Sequence, residues 1–182
     1  MSEPPAQTPP REGDAPVEVV PYDDSWPARF RAERLLLEKV LAPWLAGSIE
    51  HIGSTAVPLL PAKPVIDIMA PVRTLEGSRG AIEAATEVGY VYYPYKAELM
   101  HWLCKPSPHL RTHHLHLVPF GSELWRRQLG FRDALRRSPA LAAEYAELKA
   151  RLAETFRLDR EAYTEAKAPF VQRVLSELNA PC

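Results

Sequence analysis

The stretch HIGSTAVPLLPAKPVIDIM, residues 51–69, holds two groups able to do chemistry. The first is the turn Gly53-Ser54-Thr55. Glycine admits backbone angles that other residues avoid and lets a ligand approach the main chain. Ser54 and Thr55 add hydroxyls and N–H donors, and a helix starting here would aim free N–H groups at an anion. A plain polar turn at the end of a strand is the competing reading. The second group is Asp67, flanked by Val65, Ile66, Ile68 and Met69. A carboxylate in such a strand is costly unless it is paired, hydrogen-bonded or bound to a metal. Asp67 is therefore either a metal ligand or general base at the mouth of a sheet, or a structural acceptor for backbone N–H groups. Paired carboxylates handle phosphates, but the position two residues on is Met69.

The chain has six histidines, four of them in HLRTHHLH, residues 109–116. Side chains alternate along a strand, so His114 and His116 share one face while His113 joins Leu115 and Leu117 on the other. Two imidazoles at this spacing make a compact chelating pair suited to Zn, Mn or Fe. A polar strand face that happens to be histidine is the alternative. Lys63 precedes the Asp67 strand, Arg111 precedes the histidine strand, and Lys167 follows Tyr163 by one helical turn. Each can neutralise phosphate, arginine bidentately, and each alone also reads as a solvated surface charge. Trp102 offers a ring on which a base could stack.

The elements that must position these groups follow from pattern and punctuation. Residues 1–16, with five prolines and almost nothing to bury, read as a disordered tail. Residues 17–178 form a single domain. Val17–Val20 is a short strand, and Ser25 with Pro27 opens a helix reaching about Ala46. The sheet core spans residues 47–120, with strands at 48–52, 65–72, 90–93, 98–104 and 112–118 and a helix at 78–89. The near-continuous apolar run 65–72 suits a central strand covered on both faces. Residues 122–178 are C-terminal helices: 122–137, a second opened by Ser138-Pro139, and a third from Asp159 to about Leu178. The order makes an α+β domain.

Composition narrows the partners. At 46% hydrophobic and 25% charged, the chain has ordinary globular proportions. The formal net charge of −1 supplies no global field for nucleic acid or anionic lipid. No apolar run approaches the roughly 20 residues of a membrane span, and the N-terminus lacks an apolar signal region. Cys104 and Cys182 suggest neither a disulfide framework nor a CxxC metal site. A cytoplasmic protein with a small-molecule ligand is the expectation.

HIGSTAVPLLPAKPVIDI, THHLHLV, FRDALRRSPALAAEYAELK and REAYTEAKAPFV, in that order, resemble the GrpB-like family of bacterial proteins. The resemblance covers residues 17–178. It implies a nucleotidyltransferase-like mixed sheet with flanking helices, the fold of DNA polymerase beta and the aminoglycoside-modifying enzymes. Related domains occur joined to dephospho-coenzyme A kinase. The superfamily motif is a hydrophobic residue, Gly and Gly or Ser, then, after a spacer, Asp-hydrophobic-Asp or Glu. Ile52, Gly53, Ser54, Asp67 and Ile68 fit it and Met69 departs from it. A third carboxylate normally comes from a later strand, where this chain offers His114 and His116. One aspartate and two imidazoles make a poorer Mg²⁺ site and a better Mn²⁺ or Zn²⁺ site.

The resemblance thus implies a nucleotide or other phosphorylated ligand. Gly53, Ser54, Thr55, Lys63, Arg111 and Lys167 would lie on phosphate, and Asp67, His114 and His116 on a divalent metal, with Asp67 as the catalytic carboxylate if nucleotidyl transfer occurs. Two alternatives remain: a non-catalytic ligand- or partner-binding module, and a metal-dependent phosphohydrolase.

Overall fold

The computed structural model describes residues 16–178. The tail expected at residues 1–16 therefore lies, apart from its last residue, outside the described residues. In chain order the elements are α1 (Trp26–Leu41), β1 (Glu50–Ile52), β2 (Ile66–Val72), α2 (Arg79–Glu87), β3 (Val91–Tyr93), β4 (His101–Pro106), β5 (Arg111–Pro119), α3 (Glu123–Arg137), α4 (Pro139–Thr155), α5 (Arg160–Glu165) and α6 (Ala168–Leu178). The architecture is α+β, a five-stranded mixed sheet flanked by helices. No helix among the described residues is long and apolar enough to cross a membrane.

The strand order is β1-β2-β5-β4-β3. β2 and β5 run parallel, and every other neighbouring pair is antiparallel. The parallel register sets Asp67 beside His114 and Met69 beside His116. Strand alternation then divides the sheet. Ile66, Ile68, Ala70, Leu103, Leu115 and Leu117 pack with Trp26, Phe30, Leu37 and Leu41 of α1 and Ala81 and Ala85 of α2. On the opposite face Met69, Trp102, Cys104 and Val118 pack with Leu124, Trp125 and Leu129 of α3. A third cluster joins Val57 and Leu60, just after the Gly53 turn, to Ala134, Leu135, Tyr145, Phe170 and Val174 of the C-terminal helices. That cluster holds the helices over one end of the sheet.

Four local expectations change. Val17–Val20 makes only a bridge from Val20 to Ala62 instead of a strand. Ser25 makes no side-chain cap; its N–H donates to Asp23 Oδ1 at 2.8 Å. α1 stops at Leu41 because Pro43 has no N–H to continue it and disfavours helical geometry before it. The C-terminal segment is two helices, with a break at Ala166-Lys167 just before Pro169. The caps expected at Ser138 and Asp159 do form: their side chains accept from Leu141 N and Ala162 N at 3.2 and 2.9 Å, and Ser122 likewise caps α3, accepting from Trp125 N at 3.3 Å.

Candidate functional site

The end of the sheet left open by α3 faces a cavity of about 410 Å³. Gly53, Ser54, Thr55, Lys63, Asp67, Arg111, His114, His116 and Lys167, the residues expected from sequence, all line it. Three strands and the C-terminal helices converge to build it, because β1 leads into the Gly53 turn, β2 carries Asp67, β5 carries the histidines, and α4 and α5 form the far wall.

Gly53 is fixed by Asp67. Its φ of +71° lies where side chains are strained, and a Cβ built there would sit 3.0 Å from Asp67 Cβ and Cγ and collide with Oδ2. Residues Ser54–Ala56 form one 3-10 turn, too short to supply a helix N-terminus. Thr55 is 1% exposed. Its hydroxyl donates to the Val65 carbonyl at 3.2 Å, so it accepts from His51 Nε2 at 3.0 Å. Thr55 therefore braces β2 against the turn, and its hydroxyl is not presented to a ligand. Burial drives the His51 imidazole down to about 4, keeping it neutral in this role. Ser54 and Tyr145 of α4 both line the cavity.

Asp67 and the two histidines form a compact group whose candidate ligand atoms all lie within 4.8 Å of one another. Asp67 Oδ1 is 2.8 Å from His114 Nδ1 and 3.6 Å from His116 Nε2. Burial alone would raise the Asp67 carboxyl, but the hydrogen bond from His114 and the nearness of the His116 ring outweigh it and hold the group well below the usual carboxylate range. Burial pushes His114 below the ordinary imidazole value against the pull of Asp67. The pair is accordingly a carboxylate accepting Nδ1–H from a neutral imidazole. This leaves the Nε2 lone pair of His114 buried and, like Nε2 of His116, without a hydrogen-bond partner. Buried nitrogens are seldom left unpaired, and these two, beside an ionised carboxylate, suit a divalent cation. His116 Nδ1 sits 3.4 Å from Met100 Sδ.

The other wall is cationic. Lys63 Nζ and Lys167 Nζ lie 5.1 and 4.2 Å from the Tyr163 ring centroid, and Lys149 Nζ lies 4.9 Å from that of Tyr145. Lys149 is 2% exposed and donates to the Pro61 carbonyl. Burial, followed by repulsion from Lys167 and Lys63, lowers it to about 7. Burial and Lys63 bring Lys167 to about 7 against the attraction of Asp67. Lys63 falls to about 8 through burial, partly offset by Asp67. Arg111 Nε donates to Pro108 O at 2.6 Å, and its guanidinium lies 5.2 Å from the Trp102 ring centroid. Trp102 is 7% exposed and also packs on His114 at 4.9 Å, so it has no open face for a base.

Sequence reasoning missed Lys149, Tyr145 and Arg160. A signal for the first two was present: the spacing Tyr-x-x-x-Lys occurs at Tyr145/Lys149 as well as at Tyr163/Lys167.

The model of the family described as GrpB protein matches residues 16–177. The chain belongs to the GrpB family. Among GrpB relatives, a UPF0157 protein of Pseudomonas aeruginosa is 39% identical over 167 residues, covering 89% of this chain and 67% of the relative. The glutamate-rich protein GrpB of Alkalihalophilus pseudofirmus is 31% identical over 165 residues, 88% of this chain and 94% of its own. The crystal structure of the conserved protein GrpB from Enterococcus faecalis superimposes with a TM-score of 0.79 at 33% identity, covering 88% of this chain and 96% of that one.

Proposed function

We propose that this GrpB-family chain, as a nucleotidyltransferase-like protein, binds a nucleotide or another phosphorylated small molecule in the cavity beside Asp67. The observation that carries the reading is the group of lysines on one wall of the cavity, Lys149 buried and Lys63 and Lys167 half-buried, whose charges Lys149 and Lys167 feel as repulsion. An anion placed among them removes that repulsion and restores their charge. Lys63, Lys149, Lys167 and Arg111 are the phosphate-neutralising groups. The main chain at Gly53 and Ser54 offers the close approach, while Thr55 contributes by holding the turn.

Asp67, His114 and His116 would hold one divalent ion, Mn²⁺ or Zn²⁺ in preference to Mg²⁺. When bound, such an ion polarises a phosphoryl oxygen or a water. Asp67 fixes the His114 tautomer through the Nδ1–H bond, and the apolar packing of Met69 and Trp102 keeps water from the inner side of the cluster. Met69 is fully buried among apolar side chains where a second carboxylate would otherwise sit. That favours ligand binding at a single-ion site over two-ion nucleotidyl transfer, and places hydrolysis second. A thermal-shift screen of nucleotides and sugar phosphates, with and without Mn²⁺, Zn²⁺ and Mg²⁺, tests the reading. A ligand that binds only the native state raises the melting temperature. No shift with any phosphorylated compound would remove the proposal, and product formation on prolonged incubation would establish turnover.

A further inference from the structure

We infer that the ligand is recognised through a chain of linked phosphates, so that inorganic tripolyphosphate binds as tightly as a nucleoside triphosphate and the identity of the base contributes little. This rests on the phosphate-binding reading above and names the part of the ligand that the cavity selects.

The first argument is charge. Five cationic side chains, Lys63, Arg111, Lys149, Arg160 and Lys167, line the cavity against three carboxylates, Asp67, Asp159 and Glu161, an excess of two positive charges once a bound anion has restored the full charge of Lys149 and Lys167. Asp159 Oδ1 is already engaged by the Ala162 N–H at the start of α5. A divalent ion at the Asp67 group would add two more positive charges. One phosphate group carries only about 1.5–2 negative charges near pH 7 and cannot balance this set. Linked phosphates can, and they can reach the lysine wall and the Asp67 group together.

The second argument is the state of the rings. A base would need an open aromatic face, since stacking is the sequence-tolerant way to hold one. Tyr145 stacks on Phe170 with centroids 5.1 Å apart and carries Lys149 over its ring. Tyr163 is 1% exposed and carries both Lys63 and Lys167. Trp102 is held by Arg111, His114 and the edge contacts of Tyr93 and Tyr95. The deep aromatic surface thus positions cations and is not presented to a ligand. Tyr93 and Tyr95, only half-buried, stand at the rim on the edge-strand side.

Isothermal titration at pH 7 decides the matter, with tripolyphosphate, ATP, GTP, UTP, AMP and orthophosphate as probes, each with and without equimolar Mn²⁺. The expected result is that tripolyphosphate and the three triphosphates agree within about threefold, while AMP and orthophosphate bind at least about tenfold more weakly. Lys149→Met should weaken all multi-phosphate probes by about tenfold with its fold intact by melting temperature, and Lys149→Arg should restore most of the loss. One nucleotide binding more than about tenfold tighter than tripolyphosphate would overturn the inference. So would AMP matching ATP; the phosphate-binding reading survives either result. Absence of binding by every probe would instead bring down the phosphate-binding reading itself.

Discussion

The two faces of the strand pair β2–β5 are built from alternate residues of the same short segments, yet they do opposite things. Ile66, Ile68, Leu115 and Leu117 are each 0% exposed and meet helices that leave no gap. One position along in each case, Asp67, His114 and His116 keep side-chain exposures of 28, 15 and 13% and face a cavity. On the first face every neighbour lowers the free energy by removing apolar area from water. On the second, lysines crowd together and imidazole nitrogens lack partners, a cost that persists only because the first face holds the strands in register. Stability and ligand chemistry are thereby separated by a single residue step.

The sharpest way to break this contrast is to cut into the filled face. Leu115→Ala should cost about 2–5 kcal/mol in denaturant unfolding, the range for buried leucines. Lys149→Met on the cavity side should leave stability unchanged or raise it, because it removes a buried charge. Equal losses in the two variants would show that both faces are structural. Gly53→Ala comes next. The strain at φ +71° and the collision with Asp67 should cost about 1–3 kcal/mol and dislodge the carboxylate, so its unfolding midpoint and its metal affinity should fall together.

Asp67→Asn and His116→Ala should each lower Mn²⁺ or Zn²⁺ affinity by at least about tenfold in calorimetric titration, with smaller effects on melting. Wild-type affinity in both variants would mean that the imidazoles are only a polar strand face. The last contrast concerns pH. Lys149 titrates near 10.5 when unfolded and about 7 when folded, so the folded state pays its full penalty below pH 7 and loses it as pH rises from 7 towards 10.5. The ligand-free melting temperature of the wild type, measured relative to Lys149→Met, should rise between pH 7 and 9. Stabilisation by tripolyphosphate should shrink over the same interval.

Much of this contrast is written in the local sequence. The period-two pattern of THHLHLV assigns His114 and His116 to one face and Leu115 and Leu117 to the other, and the lone acid in VIDIM marks β2. Neither pattern says that β2 and β5 are parallel neighbours, which is what sets Asp67 beside His114. That pairing depends on contacts between distant segments. Lys149 lies in ELKARL, where its neighbours resemble an ordinary solvated helix face, and only the packing of α4 over Pro61 buries it. The break before Pro169 and the stop at Leu41 were readable from proline, and a helix-period apolar pattern masked them. Thr55 shows the reverse case: its residue type suggested a phosphate contact, while its position under β2 engages the hydroxyl internally.

The placement of β5 has a consequence for how the molecule opens. The last strand in sequence lies in the middle of the sheet, paired with β2 on one side and β4 on the other. Any fluctuation that parts β2 from β5 separates Asp67 from both histidines, so no locally unfolded form with that seam open retains the pocket. A ligand bridging the seam therefore binds only the closed sheet, and its binding energy is distributed over strands it never touches. Hydrogen exchange should register this as slower amide exchange in β1 and β4 as well as in β2 and β5, making occupancy of one cavity legible across the whole sheet.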